Sequence, residues 1–221
     1  MSVVRLRHNR VSLALHGLRA QPGPALLLLH ALGARSPERV PAELAAWPGP
    51  IFALDFTGHG ESTTPMGGGY TAEVLMADAD AAVAELGRVT VLGHGLGAYV
   101  ALMIAGGRPK LVAGAILCDG PGLTGGSPEP GAPDVSLPGP GALGIAPDPF
   151  ALVELAQDVR PPDYACSFVR QARELSGLER PISVCAKERP PWLAALLAEP
   201  GVAASSLDAA LALHARAAVS Q

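Results

Sequence analysis

Short apolar runs alternate with stretches of helical periodicity along this chain, and that alternation leaves few folds open. Val3–Arg7, Val11–His16, Ala25–Leu29, Ile51–Asp55, Val89–Gly93, Val112–Asp119 and Ile182–Ala186 read as strands. The first two are spaced to form an antiparallel hairpin around Asn9. The later runs are nearly unbroken in Leu, Val, Ile and Ala, as expected of central parallel strands covered on both faces. Between them lie helical patterns. Thr71 is placed to cap a helix through Leu86, in which Leu75, Ala79, Ala82 and Leu86 make one apolar face, and Gly87 follows where a stop is expected. Leu96–Gly106, Pro149–Gln157, Tyr164–Leu178 and Ser206–Ala218 are the other predicted helices. Strand, helix and strand repeated in this way predict an α/β fold with a mostly parallel central sheet and helices on both faces.

The chain's 221 residues suit a single domain, 1–221, with a full core. Gly120–Pro149 breaks the pattern: sixteen of its thirty residues are Gly or Pro, so it is expected to be an irregular lid segment, 120–149, over the C-terminal edge of the sheet. With 49% hydrophobic residues against 16% charged, the chain is not of the disordered class. A formal net charge of −4 argues against a nucleic-acid partner. No apolar run approaches the roughly 18–20 residues that span a bilayer, and the N-terminal ten residues are too polar for a signal peptide. The expectation is a cytoplasmic protein without a membrane partner. The three cysteines lack metal-ligand spacing, so no metal, no cofactor and no disulfide framework are expected. Fourteen arginines beside two lysines, with 26 Gly and 22 Pro, point to a GC-rich bacterial genome. The oligomeric state is left open.

Four segments, each closing a predicted strand, carry the chemistry. They are Leu27-Leu28-Leu29-His30-Ala31-Leu32-Gly33, Asp55-Phe56-Thr57-Gly58-His59-Gly60-Glu61-Ser62, Val91-Leu92-Gly93-His94-Gly95-Leu96-Gly97-Ala98 and Leu117-Cys118-Asp119-Gly120-Pro121. In this order they resemble the α/β-hydrolase superfamily, from about Leu15 to the C-terminus, in a compact form without a helical cap of normal size. The resemblance implies a nucleophile elbow, G-x-S-x-G, at the third segment. Gly93, Gly97 and Ala98 keep its small-residue frame, but the nucleophile position is Gly95, which has no nucleophile. The resemblance further places the triad acid at Arg189, with Glu188 one position off, and the triad histidine at Leu211, with His214 three residues later. On that alignment all three triad positions are vacant.

The oxyanion site implied by the resemblance remains. Its backbone N–H donors are those of Leu96 and of Ala31 or Leu32, and Leu96 also opens a helix whose dipole favours a carbonyl oxygen. The ligand-binding set is therefore Ala31, Leu32, Gly95 and Leu96. His30, His59 and His94 are expected to be structural, and His214 to lie on a helix surface or to serve as a displaced base. Asp119 is placed to satisfy turn amides, while Arg189 is a candidate for holding an anionic ligand at a pocket mouth. Cys118 and Cys185 end neighbouring strands and are expected to be small buried residues. Met66–Gly69 lacks the G-K-[ST] of a phosphate loop. Three functions stay open: a non-catalytic, regulatory pseudo-hydrolase binding a small apolar carbonyl ligand, a weak or unconventional esterase-like hydrolase or lyase using the oxyanion site and a histidine, and a structural or interaction subunit.

Overall fold

The computed structural model describes residues 2–8, 10–126 and 146–219. Among these residues eight strands form one sheet: β1 (Ser2–His8), β2 (Val11–Arg19), β3 (Ala25–Leu29), β4 (Ile51–Asp55), β5 (Val89–His94), β6 (Val112–Cys118), β7 (Ile182–Val184) and β8 (Val202–Ala204). Their spatial order is β1-β2-β4-β3-β5-β6-β7-β8. β2 alone runs against the rest, pairing antiparallel with both β1 and β4, and the other pairings are parallel. The predicted hairpin is present, with His8 opposite Val11; Asn9 itself lies outside the described residues. β7 ends at Val184, short of the predicted Ala186. There Cys185 N and Ala186 N both donate to Leu117 O, at 2.8 and 2.9 Å, and the chain turns out of the ladder.

Among the described residues six helices flank the sheet: α1 (Ala72–Leu86), α2 (Leu96–Gly107), α3 (Pro149–Gln157), α4 (Pro162–Leu175), α5 (Pro191–Leu196) and α6 (Leu207–Val219). The α1 boundaries follow their signals: Thr71 Oγ1 accepts from Val74 N at 3.3 Å, and Gly87, at φ 74°, closes the other end on Val83 O. α4 starts two residues earlier than predicted, with proline in its first turn, and ends three residues earlier. α5 and β8, with six and three residues, escaped the sequence reading because neither spans two periods of its pattern.

Helix α2 is apolar all round and every residue from Leu96 to Gly106 is buried, sandwiched between the sheet, α1 and α4. Each of its large aliphatic side chains removed from water contributes about 1.5–3 kcal/mol. This larger core is matched on the opposite face by a smaller one. There Leu26, Leu28, Leu92 and Ile116 of the sheet meet Ala210 and Leu211 of α6 and Trp47 beside a single 3-10 turn, Ala42–Leu44. Of the predicted lid, 127–145 lie outside the described residues. The flanking 120–126 and 146–148 hold no helix and no named strand, only an isolated bridge between Gly126 and Val159, and α3 begins at Pro149 on an Asp148 cap.

Candidate active site at the β5–α2 turn

β3 pairs with β4 on one side and β5 on the other, so the turns after β3 and β5 meet at the point where the strand order reverses. Open α/β sheets form their ligand crevices there. The turn after β5 passes into α2 through Gly95 at φ 56°, ψ −117°, in the left-handed region. A Cβ on Gly93 would stand 2.0 Å from Gly97 O, and one on Gly97 2.4 Å from Leu29 O. Those two glycines let strand, helix and the β3 turn touch through their backbones.

Leu96 N and Leu32 N, the latter one of the two alternatives (Ala31 or Leu32) expected beside Leu96, converge on one oxygen. It belongs to the chain itself: Pro121 O accepts from Leu96 N at 3.0 Å and from Leu32 N at 3.1 Å. Gly95 N donates to Cys118 O at 3.1 Å, which fixes the same loop from its other end. A Cβ at Gly95 would lie 2.1 Å from Pro121 O and 2.6 Å from Gly120 C, so any side chain there must displace this loop.

The loop is braced from behind. Leu123 O accepts from Trp192 Nε1 at 2.9 Å and from the Arg160 guanidinium. Arg160 is buried with its guanidinium carbon 4.7 Å from the centre of the Tyr99 ring. Burial pushes its pKa down to about 10, which leaves it charged at neutral pH. Leu123 N also bonds Gly120 O, and Gly126 N bonds Asp158 O. Above the loop an open crevice of about 570 Å³ is lined by Leu32, Asp119, Pro121 and Glu188 among others; neither Gly95 nor Leu96 reaches its wall.

The residues expected at the other triad positions are not assembled around this turn. Arg189 is exposed and turns back on its own loop, donating to Ala186 O and Glu188 O. It does not line the crevice, whereas Glu188 does. Asp119 accepts the N–H groups of Lys187 and Glu188 at 2.7–3.0 Å, the turn-amide role expected of it. Leu211 is buried in the smaller core. His214 is a correction: it is fully buried instead of lying on a helix surface. Its Nε2 meets Ser183 Oγ at 2.9 Å, and its ring lies where a Cβ on Gly114 would be, 2.0 Å from Nδ1. Gly114 lies four residues, roughly 13 Å of strand, before Cys118 at the site end of β6. Burial lowers the His214 pKa to about 4, so the ring is neutral.

His30, His59 and His94 are held by backbone groups. His30 Nε2 accepts from Phe56 N at 3.1 Å while Nδ1 donates to Ala31 O at 2.8 Å. His59 Nε2 accepts from Gly33 N, and Nδ1 donates to Thr57 O. Burial lowers both pKa values, that of His30 to about 4. His94 Nδ1 lies 3.3 Å from Asp119 O, and its side chain faces a mostly apolar cavity of about 210 Å³ that Leu28, Ala31, Leu44 and Ala53 also line. Ser62 is buried, donating to Asp55 O and accepting from Ala14 N. Sequence reasoning missed the buried pair His16 Nε2–Asp55 Oδ2, 2.9 Å apart, because the partners come from β2 and β4 with 38 residues between them. Among the described residues no group of three His, Cys, Asp or Glu side chains is placed to hold a metal ion. No helix there is long and apolar enough to cross a membrane.

A family model described as "Alpha/beta hydrolase family" matches residues 26–220. The chain belongs to this family. Similar alpha/beta-hydrolase folds include the thioesterase domain from the curacin biosynthetic pathway, 18% identical over 98% of this chain and 99% of that one, with a TM-score of 0.63. Another is Est1E from Butyrivibrio proteoclasticus, described with bound ferulic acid, at 14% identity, 99% and 98% coverage and a TM-score of 0.65. At these identities the likeness speaks for the fold. Among curated proteins, uncharacterized proteins of Mycobacterium bovis and Mycobacterium tuberculosis are 37% identical over 117 residues, covering 49% of this chain and 34% of theirs. The chain thus spans about a third of the length of the curated relatives it matches.

Proposed function

We propose that this chain is a non-catalytic alpha/beta hydrolase, a pseudo-hydrolase that acts by binding and not by turnover. The observation that carries the reading is the Pro121 carbonyl seated on the two N–H groups of the oxyanion site. A substrate carbonyl would have to evict an oxygen held by two hydrogen bonds, each worth about 0.5–1.5 kcal/mol. No hydroxyl stands at Gly95, and the buried His214 is held elsewhere, against Ser183. Small-molecule binding is then best served by the apolar cavity of about 210 Å³ beside His94, which takes a ligand smaller than most drug-sized molecules. Of the ligand-binding set, Ala31 lines that cavity, whereas the Leu32 and Leu96 amides are engaged by Pro121.

A second reading has one observation in its favour: two donors converging on one oxygen at 3.0 and 3.1 Å is the geometry that stabilises an oxyanion. If loop 119–126 withdraws, weak esterase-like turnover follows without a covalent intermediate. The test is fluorophosphonate labelling together with p-nitrophenyl acetate kinetics. The proposal expects no stoichiometric label, no burst and no saturable turnover. Saturable turnover without a burst supports the second reading, since oxyanion stabilisation and binding alone leave roughly 10³–10⁴-fold acceleration over water. Stoichiometric labelling of any serine overturns both.

A further inference from the structure

β6 and β7 are parallel neighbours with Leu117 opposite Val184, so Cys118, the last residue of β6, and Cys185, the first after β7, follow that pair on adjacent strands. Backbones of adjacent strands lie about 4.8 Å apart, inside the roughly 4.4–6.8 Å Cα window of a disulfide. Both side chains pack in the same apolar cluster on the α6 face, so both thiols point to one side of the sheet. Asp119 already ties the two strand ends together through the Lys187 and Glu188 amides. A cross-link here asks for little backbone movement.

The two thiols are unequal. Cys118 is buried; Cys185 is half-buried and within reach of solvent. Ser205 Oγ lies 3.8 Å from Cys185 Sγ. Hydrogen bonding from Cys118 and Ser205 lowers the Cys185 pKa, while the same pairing and burial raise that of Cys118. The third cysteine, Cys166 on α4, is buried with a raised pKa and serves as an internal reference.

We propose that Cys185 and Cys118 form a peroxide-reactive dithiol, with Cys185 as the attacking and Cys118 as the resolving thiol. The Cys185 thiolate attacks one oxygen of hydrogen peroxide: an S–O bond forms, the O–O bond breaks, and hydroxide leaves. Cys118 sulfur then attacks the sulfenic sulfur. The S–S bond forms, the S–O bond breaks, and hydroxide departs with the Cys118 proton as water. The protein is oxidised by two electrons and one peroxide becomes two waters.

The experiment treats the reduced protein with one equivalent of hydrogen peroxide, then counts thiols in denaturant and maps peptides without reductant. Free thiols are expected to fall from three to one, with Cys118 and Cys185 linked in one peptide pair and Cys166 free, reversed by dithiothreitol. In Cys118→Ala, dimedone is expected to capture a sulfenic acid on Cys185. Wild-type protein that accumulates sulfenic acid on Cys185 with Cys118 still free, oxidises Cys166 as fast as Cys185, or links only between chains overturns the proposal. The wild-type map decides it even if the variant does not fold.

Discussion

At Gly95 two separate constraints fall on one residue. Its φ of 56° disfavours any side chain, and Pro121 O stands 2.1 Å from where a Cβ would begin. Gly95→Ser therefore has to bear left-handed strain, about 1–3 kcal/mol, and release the Pro121 carbonyl from two amides, at about 0.5–1.5 kcal/mol each. Urea denaturation is expected to register a loss of about 2–6 kcal/mol. The new hydroxyl meets no base: Leu211 is core, Arg189 is turned onto its own loop, and His214 is bound to Ser183. Because triad members act as a unit, no gain in p-nitrophenyl ester kcat/KM is expected. A gain of three orders of magnitude would mean that a working base already faces the turn. Gly114 makes the same kind of argument away from the site, since His214 occupies the space a side chain would need.

The loop from Asp119 to Gly126 depends on residues far from it in sequence. Trp192 on α5 and Arg160 before α4 both donate to Leu123 O, and the Trp192 ring stacks edge-on against Tyr99 at 5.0 Å. Trp192→Phe keeps an aromatic ring and removes the N–H. It is expected to lower stability by about 1 kcal/mol. It also loosens the loop, so native-state hydrogen exchange of the Leu32 and Leu96 amides, whose acceptor sits on this loop, should quicken. Unchanged exchange at those two amides would show that the Trp192 bond does not hold the plug in place.

Across the whole molecule, burial keeps three histidines neutral: His30 and His214, both lowered to about 4, and His59, lowered in the same direction. The unfolded chain takes up these protons near pH 6.5, before the folded one does. The stability they contribute is therefore complete above about pH 6.5 and is lost as pH falls toward 4, on the order of 3 kcal/mol each for His30 and His214. Asp78 and Asp158, with raised pKa values, act with the opposite sign at carboxylate pH. The urea midpoint is expected to drop between about pH 7 and pH 4.5, and the drop should be smaller in His214→Asn. An equal drop in that variant would remove His214 from the account.

The strand and helix pattern, the glycine frame Gly93–Gly97 and the absence of a serine at Gly95 were all readable along the chain. Each rests on local periodicity or on one residue's own chemistry. Six of the seven predicted strands end within one residue of the predicted C-terminal boundary or run past it, and β7 is the one cut short, by a bond pattern at Leu117 O that involves two strands. The burial of His214, the His16–Asp55 pair and the seating of Pro121 O on the Leu32 and Leu96 amides had no local signal. All three join segments widely separated in sequence, at distances where a few tenths of an ångström decide the contact. Sequence alone therefore established which groups this chain carries and which nucleophile it lacks at the β5–α2 turn. Only the packing of β6 and its loop against β3 and α2 decided what occupies that place, because a carbonyl with no side-chain identity fills it.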